Sequence, residues 1–173
     1  MGLLAVTAIG DDRPGMVAAV TGALADVGGN LEDTSMTILR GHFAMTLVVA
    51  CDRGADEVER ALAPVAAAQG LAVTVREVST DPVPAGAGGS PHVLVLHGAD
   101  RPRIVARVSG LVASYGGNVT DLVTRLAGPL YVLTMELDLP AGADADALAR
   151  DLAALAADLG VAASLRPADA DLL

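Results

Sequence analysis

The chain has few of the residues that build disulfides, thiolate metal centres or stacking platforms. Its 173 residues include one cysteine, no tryptophan, two tyrosines and one phenylalanine. The single cysteine, Cys51, has no partner for an internal disulfide and forms no thiolate cluster, which is typical of a reducing compartment. We therefore predict a cytoplasmic protein that carries no metal and no cofactor.

Positive charge and long apolar runs are also scarce. The eleven basic residues are all arginines and stand against 21 acidic residues, which gives a formal net charge of −10. Such a surface repels phosphates, and three aromatic side chains are too few for the stacking that single-strand readers use. No apolar run reaches the roughly 18 residues of a membrane helix, and the amino terminus lacks the basic start of a signal peptide. We expect neither direct nucleic-acid binding nor a membrane span.

Catalytic patterns are missing as well. The histidines at 42, 92 and 97 have no spacing to a nucleophile or to further metal ligands. The glycine-rich stretch 86–89 lacks a following lysine and opens no predicted helix, so it is not a phosphate-binding loop. We predict no catalytic residue and no enzymatic activity.

What the chain does contain is a repeat. Asp12-Arg13-Pro14 followed by Gly28-Gly29-Asn30 recurs as Asp100-Arg101-Pro102 followed by Gly116-Gly117-Asn118, at a constant offset of 88 residues. The repeated residues are turn, cap and hydrogen-bonding types, which predicts a duplicated fold with equivalent turns.

Hydrophobic periodicity predicts the same six elements in each copy, in the order strand, helix, strand, strand, helix, strand. In the first copy they fall at Leu4–Ile9, Asp12–Val27, Leu31–Leu39, Phe43–Val49, Ala55–Gln69 and Leu71–Val78. In the second they fall at Val93–His97, Arg101–Tyr115, Val119–Leu126, Leu130–Leu139, Ala143–Leu159 and Val161–Leu165. Asp12 and Asp100 are expected to cap the first helix of each copy, and the glycine pairs to end it.

This order predicts an α+β fold of two ferredoxin-like βαββαβ units, each a four-stranded antiparallel sheet with two helices on one face. We place the first domain at residues 1–78, a Pro-, Gly- and Ala-rich linker at 79–90, the second domain at 91–167 and an acidic tail at 168–173. Each unit leaves a sheet face and edge strands uncovered, so we expect the units to pair, within one chain or in a homodimer.

Residues 9–15 (Ile-Gly-Asp-Asp-Arg-Pro-Gly), the segment from Gly28 to Asp33, and Gly41 with Phe43 and Met45 resemble an ACT domain, the small amino-acid-sensing module. The second copy resembles it more weakly, through 98–102, 116–118 and Gly128. Two such modules without an attached enzyme are similar to the glycine cleavage system transcriptional repressor family. This resemblance implies a small amino-acid ligand, with glycine suspected, held between the first turn and the start of the second strand.

On this resemblance, the first copy supplies the main ligand site and the second copy a weaker one. The candidate ligand-binding residues of the first are Gly10, Asp11, Asp12, Pro14, Gly15, Asn30 and Leu31. Those of the weaker second site are Gly98, Asp100, Asn118 and Val119. Arg103 stands where the first copy has Gly15, and its side chain is expected to block or remodel the second pocket.

Structural roles compete with ligand contact at these positions. Asp12 and Asp100 are good helix caps in their own right, and Asn30 and Asn118 can complete the helix stop because asparagine tolerates left-handed backbone. We expect a non-enzymatic regulator that acts by protein–protein contact, with a DNA-binding regulator or a metabolic enzyme as its partner. A scaffold module that binds no ligand and a detached regulatory subunit of an amino-acid enzyme remain alternatives.

Overall fold

The computed structural model describes residues 2–80 and 89–168 and divides the chain into two compact units, residues 1–82 (unit 1) and 83–173 (unit 2). Unit 1 contains β1 (Gly2–Asp11), α1 (Met16–Asp26), β2 (Asn30–Leu39), β3 (His42–Cys51), α2 (Ala55–Gln69) and β4 (Leu71–Val78). Unit 2 contains β5 (Ser90–Ala99), α3 (Ile104–Ser114), β6 (Asn118–Ala127), β7 (Leu130–Leu139), α4 (Ala145–Leu159) and β8 (Val161–Pro167). The predicted element order is confirmed in both copies.

Both units form a four-stranded antiparallel sheet, ordered β2-β3-β1-β4 in unit 1 and β6-β7-β5-β8 in unit 2. Alternate β1 residues Leu4, Val6 and Ala8 are buried, because one face of the sheet carries the core. Side chains from α1 and α2 enter that same core, as do those of α3 and α4 in unit 2. The predicted fold, with two helices on one face of each sheet, is confirmed.

The repeated glycine pair ends the first helix of each unit as predicted. The Gly28 N–H donates to the Ala25 carbonyl and the Gly29 N–H to the Leu24 carbonyl, each at 2.9 Å, with Gly28 at φ 81°. These bonds form a Schellman motif. A Cβ on Gly29 would lie 2.9 Å from Val49, so the second glycine lets the end of α1 pack on β3.

Several predicted boundaries shift. β5 runs from Ser90 to Ala99 rather than over 93–97, because its ends pair with β7 from Leu139 to Leu130. The first strand begins at Gly2, and its helix begins at Met16 rather than at Asp12. Most of the predicted linker, residues 81–88, and most of the predicted tail, residues 169–173, lie outside the described residues.

The edge strand β2 leaves apolar side chains on the surface of unit 1. Every β2 residue except Thr37 is exposed, and no strand of the described chain pairs with its free edge. The exposed large apolar residues of this strand are Leu31, Met36, Ile38 and Leu39. Unpaired edges with apolar side chains are surfaces that a second module can cover.

Candidate functional site

The turn between β1 and α1 leaves the start of α1 without a side-chain cap. Within the turn, the Arg13 N–H donates to the Met16 Sδ at 3.1 Å. The residue before the helix is Gly15, in left-handed conformation at φ 93°, and no side chain caps the helix. Asp12 is therefore not the helix cap that the sequence predicted; its backbone N–H instead donates to the Gly41 carbonyl at 2.8 Å. Within residues 2–80 the Asp12 carboxylate has no hydrogen-bond or ion-pair partner.

The same holds in unit 2, where the prediction of a cap at Asp100 is also wrong. α3 begins at Ile104 behind Arg103, which adopts the left-handed conformation at φ 69° without a side-chain cap. A left-handed arginine is strained, whereas Gly15 takes this conformation without a Cβ penalty. The two turns share this backbone conformation, but only the first has the glycine that the conformation favours.

A pocket opens beside the first turn, between the start of α1 and the hairpin of β2 and β3. Its floor is apolar, because Met16 and Phe43 are each 1% exposed. Val17 and Met36 form its apolar rim and are 41% and 44% exposed. The residues that line it are Asp12, Arg13, Gly15, Met16, Val17, Ala18, Met36 and Phe43.

The pocket combines two opposite charges with an apolar wall. The uncapped N–H groups and the macrodipole give the start of α1 a partial positive charge that attracts carboxylates. The Asp12 carboxylate lines the same pocket and can accept hydrogen bonds from an ammonium group. The arrangement suits a zwitterion with apolar surface on one side.

Of the predicted ligand-binding residues, Asp12 and Gly15 line this pocket. Pro14 lies in the turn and is exposed. Asp11 is the last residue of β1, and its Oδ1 lies 3.1 Å from the Nδ1 of His42 across the paired strands. The Asp11 carboxylate therefore already has a partner, His42 of β3.

Gly10 and Gly98 allow close packing between strands of the fold. A Cβ on Gly10 would lie 2.7 Å from the Gly70 carbonyl oxygen, and a Cβ on Gly98 would lie 2.9 Å from the Val161 Cα. Both glycines let the first strand of the unit approach the last one closely. Packing between the strands is therefore enough to exclude a side chain there, and a ligand contact at these glycines stays a prediction.

Asn30 and Leu31 lie at the other end of the sheet from the turn. Asn30 pairs with Ala50, which pairs with Leu3, whereas the turn follows Gly10. Leu3 and Gly10 are seven residues apart along β1, which corresponds to about 23 Å at the rise of an antiparallel strand. Asn118 and Val119 occupy the equivalent end in unit 2, where Asn118 pairs with Asp138. Neither unit brings its asparagine to its own turn.

The helix-stop alternative for these asparagines is wrong. Asn30 and Asn118 open β2 and β6, and neither has a positive φ. A β-bulge follows each of them, between Leu31 and Asp33 and between Val119 and Asp121. The repeated segment therefore bends the start of the edge strand in both units.

The pocket positions differ in unit 2. At the 88-residue offset, Thr124 replaces Met36 and Tyr131 replaces Phe43. Burial and then the nearby Asp100 carboxylate raise the pKa of Tyr131 above its ordinary value of 10.0, and the neighbouring Thr124 side chain partly opposes this shift. The wall that is apolar in unit 1 is polar in unit 2.

Sequence reasoning missed the apolar wall of the first pocket. Met36 and Phe43 face the helix side of the sheet, since Met36 pairs with buried Met45 and Phe43 pairs with Ile38. The left-handed pair Arg40 and Gly41 closes the two-residue hairpin loop and fixes this register. Counting outward from that loop would have placed both side chains beside the start of α1.

Neither a metal-binding cluster nor a membrane-spanning helix is present among the described residues. Within residues 2–80 and 89–168, no group of three or more histidine, cysteine or acidic side chains is arranged to hold a metal ion. No helix in that part of the chain is long and apolar enough to cross a membrane.

The fold defines a tandem protein of two βαββαβ modules, with a partly apolar pocket at the first turn of unit 1. The ACT domain family model matches residues 3–76 and 92–166, so the chain belongs to the ACT domain family in both units.

The chain is also similar to individual proteins. The chain is 25% identical over 173 residues to the glycine cleavage system transcriptional repressor of Escherichia coli, with 94% of this chain and 88% of that protein covered. A UPF0237 protein of Methanopyrus kandleri is 52% identical over 44 residues, which cover 25% of this chain and 49% of that protein. An unknown protein from Galdieria sulphuraria has the same fold, with a TM-score of 0.80, 24% identity and coverage of 97% of this chain and 99% of its own.

Proposed function

We propose that the chain is a non-enzymatic regulator that binds a small α-amino acid at the first turn of unit 1 and acts through contacts with another protein. The observation that carries this proposal is the pocket at that turn. The uncapped start of α1 and the unpartnered Asp12 carboxylate both lie at this pocket, beside its apolar wall. The ligand's carboxylate would accept hydrogen bonds from the α1 N–H groups, and its ammonium would donate to the Asp12 carboxylate.

The failure of the structural alternatives supports this role. Asp12 does not cap α1, and Asn30 does not complete the helix stop. Both residues are exposed polar groups whose repeated positions the fold of a single unit leaves unexplained. Ligand contact gives each of them a role.

Asn30 would reach the pocket from a second copy of the chain. If the free β2 edges of two copies paired in antiparallel fashion, the start of one β2 would lie beside the end of the other. Asn30 of one copy would then approach Met36 and the turn of its partner, and would meet the ligand with its amide. Such pairing would also cover the apolar side chains of β2, and the ligand would favour the paired state.

The biological output would pass through a partner. The acidic surface disfavours direct DNA contact, so a transcriptional effect on amino-acid metabolism, of the kind named for the Escherichia coli relative, would require a DNA-binding regulator as partner. A metabolic enzyme is the other partner class, in which case the chain would be its detached regulatory subunit. Affinity capture from the native cytoplasm, with and without amino acid, distinguishes the two by the identity of the captured protein.

Isothermal titration of the full chain with a panel of amino acids tests the proposal. We expect saturable heat with at least one of them, and a loss of affinity of about tenfold or more in Asp12→Ala, because a charge-assisted hydrogen bond is removed. Asp100→Ala is the matched control and should bind as the unsubstituted chain does. No heat with any amino acid would leave the scaffold alternative standing.

Mixing two variants tests the shared site. Asp12→Ala and Asn30→Ala should each bind poorly alone, but mixed dimers contain one site with both residues intact. Recovery of binding after mixing and re-equilibration supports a site shared between copies. Binding that stays lost in the mixture, or a monomeric mass by light scattering at saturating ligand, contradicts it.

A further inference from the structure

The pocket of unit 1 has more apolar surface than the head group of an amino acid needs. Beyond the charged Asp12 and Arg13 and the small Gly15 and Ala18, its wall is built from Met16, Val17, Met36 and Phe43. Met16 and Phe43 are buried beneath it, while Val17 and Met36 stand exposed at its rim. An exposed apolar rim over an apolar floor is a surface that water covers poorly and an apolar group covers well.

The polar and apolar parts of the pocket lie on different sides. The turn and the start of α1 offer Asp12, Arg13 and free N–H groups, whereas Met36 and Phe43 come from β2 and β3. A head group held at the turn would therefore direct the side chain of the ligand toward the strands. Glycine has no side chain there and would leave this wall in contact with water.

The exposed methionine suits side chains of more than one shape. Methionine is unbranched and adaptable, so Met36 can adjust around branched or linear hydrocarbon groups above the buried Met16. No charged or hydroxyl side chain lines the strand side of the pocket. A ligand with a hydroxyl or a charge would lose hydration on this side without gaining a hydrogen bond.

Unit 2 gives the contrast within the same chain. Its equivalent positions carry Thr124 and Tyr131, which each bear a hydroxyl group, and Arg103 replaces Gly15. The apolar wall is therefore a property of unit 1 and not of the module as such.

We infer that the unit 1 pocket selects an α-amino acid with an apolar aliphatic or thioether side chain, such as leucine, isoleucine, valine or methionine, over glycine. This inference rests on the proposed function and names the ligand class of its site. Each further methylene in a hydrophobic pocket changes affinity by roughly tenfold or more. We therefore expect leucine or methionine to bind at least about tenfold more tightly than glycine.

Titration of the full chain with glycine, serine, leucine and methionine under one buffer condition tests the ligand class. Tighter binding of leucine or methionine than of glycine and serine supports the inference. Glycine or serine binding as tightly or more tightly overturns the inference while the proposed sensor function stands. No binding of any of the four overturns both.

Met36→Thr tests the wall directly, because it introduces the residue that unit 2 carries. Met36 is exposed on an edge strand, so the substitution should leave the fold intact. We expect the preference for leucine over glycine to fall by about fivefold or more, with glycine affinity nearly unchanged. Val78→Thr, on the opposite edge strand β4 and 39% exposed, is the matched control and should keep the full preference. An unchanged preference in Met36→Thr would overturn the assignment of the wall.

Discussion

The two units share a fold and differ at the place where a ligand would bind. Both turns follow the same course, both glycine pairs end the first helix, and both edge strands begin with an asparagine and a bulge. Unit 1 has Gly15, Met36 and Phe43 around its turn, whereas unit 2 has Arg103, Thr124 and Tyr131. The shared residues therefore hold the fold, and the residues that differ set the chemistry of the pocket.

Their helix pairs differ as well. In unit 2, Tyr115 Oη donates to Asp151 at 2.6 Å and Arg107 Nη1 donates to Asp158 at 2.7 Å, joining α3 to α4. Among the described residues of unit 1, no side-chain hydrogen bond joins α1 to α2. Unit 2 therefore has direct side-chain contacts between its helices, whereas in unit 1 Arg53 links the end of α1 to α2 through the Val27 carbonyl and Glu57.

The largest expected effect tests what the two units share. Gly10→Ala and Gly98→Ala each place a Cβ within 3 Å of backbone atoms of the neighbouring segment. Because backbone cannot move aside cheaply, each substitution should reduce the free energy of unfolding of its own unit by about 1 to 3 kcal/mol. Urea unfolding, read by amide exchange in each unit, measures the loss. If Gly10→Ala leaves stability unchanged but weakens amino-acid binding, Gly10 is a ligand residue after all.

A smaller effect tests the clearest difference between the turns. Arg103→Gly should stabilise unit 2 by about 1 kcal/mol, because glycine takes the left-handed conformation without the Cβ penalty. Gly15→Ala should destabilise unit 1 by a similar amount of about 1 kcal/mol through strain alone, since no atom lies within 4 Å of the added Cβ. Thermal unfolding of the two variants measures both changes in stability. If both substitutions stabilise their unit, or both destabilise it, the two turns are not equivalent.

The smallest expected effect is a response of unit 2 to alkaline pH. The hydrogen bond from Tyr115 to Asp151 raises the pKa of Tyr115 above 10.0, and burial followed by the Asp100 charge raises that of Tyr131. The folded state thus holds these protons more tightly than the unfolded state. Their stabilisation is complete below pH 10 and is lost as pH rises past 10 through the folded-state pKa values.

Both tyrosines of the chain lie in unit 2, so unit 1 provides the internal control. Unfolding of the full chain between pH 9 and pH 11, followed by amide signals of each unit, should show this loss in unit 2. The double variant Tyr115→Phe, Tyr131→Phe should remove it. If the free energy of unfolding of unit 2 still falls with pH in the double variant, other groups cause the alkaline response.

The sequence carried enough to predict the fold. The 88-residue offset and the two periodicities predicted twelve elements in the correct order, because strands and helices bury every second or every third to fourth residue. The glycine pairs ended the helices as predicted, since a left-handed residue is a local requirement.

The site was less accessible from sequence because it depends on register. Asp12 matched the preference of a helix cap, but the turn continues through Pro14 and a left-handed Gly15 before the helix begins. Asn30 and Asp12 recur together in the sequence, yet pairing along β1 and β3 places them at opposite ends of the sheet. Met36 and Phe43 lack polar chemistry, so only their positions beside the turn show that they belong to the pocket.

The most direct test of the central claim, that unit 1 holds the amino-acid site, is an amide chemical-shift titration of the full chain with leucine, which would show which turn the ligand contacts. We predict saturable shifts at Gly15, Met16 and Met36, with unchanged signals at the equivalent Arg103, Ile104 and Thr124. Shifts confined to unit 2, or equal shifts in both units, would contradict the claim.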